Sequence, residues 1–197
     1  MNNSPLMALA LTGGGWVIWA LILSSIGAVA VAYDRWKLFK EEILALASLR
    51  PAFLAALAAE DLDAAAKAVK ANPGASARIL SEPDNLQPAL SDEKRRLEGR
   101  LLWLGTLGNN APFVGLFGTV LGVIKAFHDL AESGAGPEVV MSGLSEALVA
   151  TAVGLLVAIP SVLAFNFLQK QLRDLLSETE ALGLRHSTAR TPHARQR

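Results

Sequence analysis

The first charged side chain in this sequence is Asp34. Residues 6–33 are therefore an uncharged, mainly apolar stretch, long enough to cross a hydrocarbon core of about 30 Å as one helix. Two comparable stretches follow, from Leu101 to Ile124 and from Val139 to Gln169, the last interrupted by a single acid, Glu146. Inside a bilayer every backbone amide must be paired within the protein, which leaves only helices or a closed barrel. Runs of this length fit helices. The sequence thus predicts an all-α integral membrane protein with three transmembrane helices. A cleaved signal peptide is the competing reading of the first run, since Ala28-Val29-Ala30 and Ala30-Val31-Ala32 resemble cleavage sites. But the opening MNNSP has no basic residue, and the apolar run far exceeds a signal core of about 7–15 residues, so a retained anchor is expected.

Composition agrees, with 52% hydrophobic and only 18% charged residues. A formal net charge of zero gives no signal for a nucleic-acid partner, and the lipid bilayer is the partner that composition implies. The absence of cysteine excludes disulfides, thiolate metal sites and Cys nucleophiles. The three histidines, His128, His186 and His193, lack metal-ligand spacing. No cofactor is expected.

All Lys and Arg except Lys125 lie between Arg35 and Arg100 or from Lys170 onward. The positive-inside rule then puts the N-terminus out and the C-terminus in, with long helical cytoplasmic extensions. The expected organisation is 1–33, periplasmic N-terminus and first span; 34–100, helical cytoplasmic segment; 101–128, second span; 129–138, short periplasmic loop; 139–169, third span; 170–197, cytoplasmic helical extension and tail. Trp16 and Trp19 suit one interfacial belt, and Tyr33, Trp36 and Trp103 the other. The loop HDLAESGAGPE, with Gly134, Gly136 and Pro137, reads as the turn of an antiparallel helical hairpin.

In the cytoplasmic segment, residues 37–50 should prolong the first membrane helix until Pro51 breaks or re-aims it. Asp61 is placed to cap a short helix ending before Asn72-Pro73-Gly74. Pro83 and Pro88 make 72–88 loop-like, and Ser91-Asp92-Glu93 resembles a helix start that could run unbroken through Arg100 into the second span. After Gln169 the third helix should continue into KQLRDLLSETEALGL, and the tail from His186 is expected to be disordered.

Within the spans, Gly115, Thr119, Gly122 and Ala126 recur at helical spacing, and Gly118 with Gly122 forms a GxxxG pair. Ala147, Thr151, Gly154 and Ala158 repeat the pattern in the third span. Small residues let membrane helices approach closely, so helix packing alone is the simplest reading. Glu146 asks for more. A charged side chain at the bilayer centre costs roughly 2.5–3.5 kcal/mol on insertion scales, and such an acid ordinarily faces a protein interior or a watery cavity. Thr151 lies about 140° around the helix from Glu146, so the two share no narrow line, although both could border a wide lumen. Lys125 stands near the outer end of its span, and no basic residue is placed to neutralise Glu146 at its depth. A neutral acid or a partner from another chain follows. Oligomerisation is expected, because three helices cannot readily enclose a watery path.

GNNAPFVGLFGTVLGVIKAF (108–127) followed by GLSEALVATAVGLLVAIPSVLAFN (143–166) resembles the ExbB/TolQ/MotA proton-channel family, closest to its ExbB/TolQ branch. GNNAPF leans towards ExbB and GLFGTV towards TolQ, and only three spans are present where flagellar stators have four. The resemblance implies a stator subunit of the bacterial inner membrane that converts proton motive force into work for transport or envelope processes. It implies a homopentamer around two copies of an ExbD/TolR-like single-span protein with a membrane Asp, and contact with a TonB/TolA-like envelope protein. By motif, Thr119 and Thr151 would line the proton path and Glu146 would border the lumen. Pro112, Pro160 and Asn166 match family positions and would shape or anchor helices. The alternative is a non-conducting membrane scaffold. An intramembrane enzyme is not expected, since the three apolar runs hold no Cys, no His and no paired acids.

Overall fold

The computed structural model describes residues 11–133 and 136–194. Every described element is helical: α1 (Gly15–Ala58), α2 (Leu62–Lys70), α3 (Ala75–Leu80), a single 3-10 turn (Pro83–Asn85), α4 (Leu86–Glu98), α5 (Leu101–Ser133) and α6 (Pro137–Ala194). Three helices are long and apolar enough to cross a membrane, over Gly15–Ala58, Leu101–Glu132 and Pro137–Ala189. The opening MNNSP, Gly134 of the expected turn, and Arg195 to Arg197 lie outside the described residues. Pro137 takes the first position of α6, where its missing N–H has no helical partner to lose. The chain divides into two compact units.

The first unit joins the chain up to Ala32 with Leu102–Phe165. Its core takes residues from all three long helices: Val17 and Leu21 from α1, Ala111 and Leu121 from α5, Val157 and Ala158 from α6. The outward faces are apolar as well, with Leu23 67%, Leu148 69% and Leu156 71% exposed. A water-soluble unit of this size would not leave so much apolar surface bare, whereas lipid or neighbouring subunits would cover it.

α5 and α6 pack antiparallel, and glycine sets how close they come. Gly105 lies against Phe165, Gly108 against Val162, Gly115 against Ala150 and Gly154, and Gly122 against Ala147, while Gly143 lies against Ala126. A Cβ on Gly115 would stand 2.7 Å from the Ala150 carbonyl oxygen and 3.1 Å from the Gly154 Cα. Only hydrogen fits there. α1 joins at Gly118, which has the Ala150 Cβ on one side and Val17 on the other.

The second unit joins Tyr33–Leu101 with the chain from Asn166. Pro51 does not break α1, which continues to Ala58. Leu46, Leu49, Phe53 and Ala56 form a buried helical face on either side of it. That burial outweighs the roughly 3 kcal/mol a mid-helix proline costs. Asp61 does cap α2, accepting a hydrogen bond from the Ala64 N–H at 2.8 Å. The 72–88 segment is less loop-like than expected. It holds α3, whose Ala75, Ala77, Ile79 and Leu80 are buried, and α4 starts at Leu86 rather than at Ser91. Pro88 sits in the first turn of α4, where it is tolerated, and burial of Leu86 and Leu90 draws the helix start forward. α4 also stops at Glu98, with a turn at Gly99 and Arg100, so it does not run unbroken into the second span.

The expectation of a disordered tail is corrected most clearly. α6 continues to Ala194, because Leu168, Leu172, Leu175, Thr179, Leu182 and His186 make one buried stripe at alternating spacings of four and three. The His186 ring meets Phe53 edge to face at 5.4 Å. Two polar residues in the stripe, Thr179 and His186, hide the pattern from a reading of apolar residues alone.

Polar ties complete this unit. Arg78 on α3 donates to both carboxylate oxygens of Glu93 on α4, at 2.6 and 2.9 Å, and to the Pro73 carbonyl at 2.8 Å. Glu42 on α1 accepts from the Ala75 N–H at the start of α3 and lies 3.6 Å from Arg78. Asn72 donates to the Ala45 carbonyl at 2.8 Å. Gln169 reaches Glu98 at 3.0 Å, and Arg100 reaches Asp34 at 3.0 Å.

Candidate functional site

The site is built where α1 begins. Gly13 has φ of +72°, a left-handed conformation that glycine adopts without strain, and it turns the chain into the first helix. Thr12, Gly13, Gly14 and Gly15 of this turn line a cavity of about 320 Å³. α5 contributes Gly122, Lys125, Ala126 and Asp129, and α6 contributes Val139, Ser142, Gly143, Glu146 and Ala147. Two things make the cavity. The glycine turn is thin, and the small residues Gly122, Ala126, Gly143 and Ala147 form the close α5–α6 seam beside it.

Glu146 lines this cavity, and its Oε1 lies 3.5 Å from where a Cβ on Gly15 would stand. The carboxylate thus sits beside the N-terminal end of α1, where the partial positive charge of the helix favours an anion. Lys125 lines the same cavity. Its Cδ would be 2.9 Å from a Cβ on Gly13, so the stem passes close beside the turn where only a glycine leaves it room. The sequence places no basic residue to neutralise Glu146 at its depth; in the structure Lys125 and Glu146 line one cavity. In an antiparallel hairpin the two residues stand nearly equally far from Gly136, a register that could have been read from the sequence. Asp129, one turn after Lys125 on the same face of α5, is the third charged group, while Thr12 and Ser142 supply hydroxyls.

The two threonines have different surroundings. Thr119 is half-buried on α5 and donates to the Leu116 carbonyl of its own helix at 2.6 Å. Thr151 is half-buried on α6, with its Cα 3.1 Å from a Cβ position on Gly115. It stands in the seam with Gly154 and on the turn of helix following Ala147. Glu146 is displaced around the helix towards the cavity, so the two do not share one lining. Pro112 is half-buried within α5, Pro160 is exposed within α6, and Asn166 is exposed as the first α6 residue of the second unit. Thr12, Asp129 and Ser142 were not singled out from sequence, because their side chains converge only through the packing of three helices. Among the described residues, no group of three or more His, Cys, Asp or Glu could hold a metal ion.

Comparison with known proteins places this architecture. The chain is 44% identical over 90 residues to the biopolymer transport protein ExbB of Aquifex aeolicus, covering 45% of this chain and 61% of that protein. It is 46% identical over 82 residues to the Tol-Pal system protein TolQ of Pseudomonas aeruginosa, covering 41% and 36%. It is 40% identical over 98 residues to the biopolymer transport protein ExbB of Neisseria gonorrhoeae, covering 49% and 44%. The chain thus spans less than two thirds of the length of the curated relatives it matches. The family model for the MotA/TolQ/ExbB proton channels matches residues 54–181, more than half of the chain, including all of α5 and most of α6. As a multi-pass protein of the bacterial inner membrane, the chain belongs to the MotA/TolQ/ExbB proton channel family.

Proposed function

We propose that this chain is a proton-channel, or stator, subunit of the ExbB/TolQ type. With an ExbD/TolR-like single-span partner it converts proton motive force into mechanical work for transport or envelope processes. The observation that carries this reading is Glu146, the one ionisable side chain between Val139 and Gln169 of α6, lining a polar cavity within the family-matched segment. Thr119 and Thr151 line the proton path and Glu146 borders the lumen from a separate face of α6, and the N-terminus lies outside with both helical extensions in the cytoplasm. The exposed apolar faces of the first unit support assembly, which we take to be a homopentamer around two partner copies. In this arrangement the partner's membrane Asp carries the proton and a TonB/TolA-like protein receives the work. One charge crossing 100 mV releases about 2.3 kcal/mol, enough for several protons to drive a conformational step.

The experiment is purification from mild detergent with identification of the co-purifying single-span protein, followed by proton flux in liposomes. E146Q is expected to leave assembly intact and to abolish most of the flux. Unchanged flux in E146Q, within an intact complex, would refute the assignment.

A further inference from the structure

We propose that Lys125 is the in-chain counter-charge of Glu146 across the cavity between the Thr12–Gly15 turn, α5 and α6, and that it positions the carboxylate for proton-driven work. The proposal rests on the proton-channel reading for its function, but not for its electrostatics. A lone carboxylate or a lone ammonium in or near the hydrocarbon is costly, and each cost falls when the opposite charge is near. Both side chains line one cavity. The cavity, about 320 Å³, has room for several waters at about 30 Å³ each, so the two charges can act through shared solvent.

One short segment, Gly13–Gly15, stands beside both partners. The Lys125 stem passes beside Gly13, whose Cβ position is 2.9 Å from Cδ, and Gly15 lies beside the Glu146 Oε1. The N-terminal end of α1 adds to the positive side of the cavity. Among the described residues Asp129 is the only other charged one lining it, and it also faces His128 at 3.9 Å. Asp129 is the competing partner for Lys125. Among the described residues lining the cavity, Lys125 is the one cation. The acid that looked uncompensated in the sequence has its compensation within the same chain.

The test is a double-mutant cycle on the full chain purified from membranes. Thermal midpoints are measured for K125M, E146Q and the double variant, with K125R as the conservative variant and proton flux in liposomes as a second readout. Pairing predicts non-additive losses, with the double variant no less stable than the worse single. It also predicts that K125R keeps both midpoint and flux, while K125M loses roughly tenfold in flux, the scale of one partly screened charge pair. Additive midpoint losses, or coupling of K125M to D129N instead of E146Q, would overturn the pairing. If E146Q conducts like the parent, the proton-channel reading falls while the stability cycle still decides the pairing. If E146Q stops flux but the cycle is additive, the pairing alone falls.

Discussion

Arg78 grips Glu93 with two parallel hydrogen bonds, Nε to Oε1 at 2.6 Å and Nη2 to Oε2 at 2.9 Å. The pair joins α3 to α4, and Glu42 extends it to α1. The hydrogen bond from Arg78 holds the Glu93 carboxyl below the ordinary carboxylate range; the charges of Arg78 and Arg96 add to this, and partial burial opposes it. Because the folded state lowers this pKa, the pair's stabilisation is fully present above the unfolded carboxylate range, near 4.3. It is lost as pH falls through the lower folded value. Acid titration of thermal stability should therefore show a decline below about pH 4 that E93Q flattens. R78M, which leaves this mostly buried carboxylate only the longer 3.5 Å contact with Arg96, should cost roughly 1–3 kcal/mol at neutral pH.

The glycine seam gives a steric prediction. A Cβ on Gly115 would meet the backbone of α6 at 2.7 Å, and backbone cannot rotate aside as a side-chain tip can. G115A should therefore destabilise the α5–α6 hairpin by about 1–3 kcal/mol. Gly99 is the control. Its backbone is already right-handed helical, and a Cβ there meets the Arg95 carbonyl only at 3.6 Å. G99A should be neutral or stabilising by up to about 1 kcal/mol. Equal losses in both variants, read by thermal unfolding in detergent, would contradict the packing argument.

Ser76 and Thr179 form a buried hydroxyl pair at 2.7 Å, and Thr179 also donates to the Leu175 carbonyl at 2.7 Å. Thr179 has thus spent its only hydrogen, which makes Ser76 the donor of the pair. T179V should cost about 1–3 kcal/mol by stranding the Ser76 hydroxyl. The double variant S76A/T179V should cost less than the two single losses added together, since it leaves no orphan. Denaturation of the four proteins measures the coupling.

Thr119 already donates to its own helix, so its hydroxyl is not needed to hold α5 to a neighbour. T119V should assemble and melt like the parent. If Thr119 borders the proton path, T119V should lower proton flux while T119S retains it. Loss of assembly in T119V would instead assign the residue a packing role.

Several features were legible because local physics decides them. The length of an uncharged run against the thickness of a bilayer marked out the three long apolar helices. A carboxylate three residues before an exposed amide placed the Asp61 cap, and Gly136-Pro137 marked the entry to α6. In each case the interaction is complete within a few neighbouring residues.

Other features required distant residues to meet. Pro51 and Pro88 read as breakers, yet burial of Phe53 and of Leu86 carries the helices through or past them. His186 read as the start of a loose tail until Phe53, far away in sequence, gave its ring a partner. Glu146 is the sharpest instance. The sequence by itself determined that an acid stands in an apolar span, because composition and spacing are local properties. Only the tertiary structure decided that Lys125, the turn at Gly13–Gly15 and Glu146 share one cavity. Electrostatic energy depends on distance through space, and three helices must pack before that distance exists.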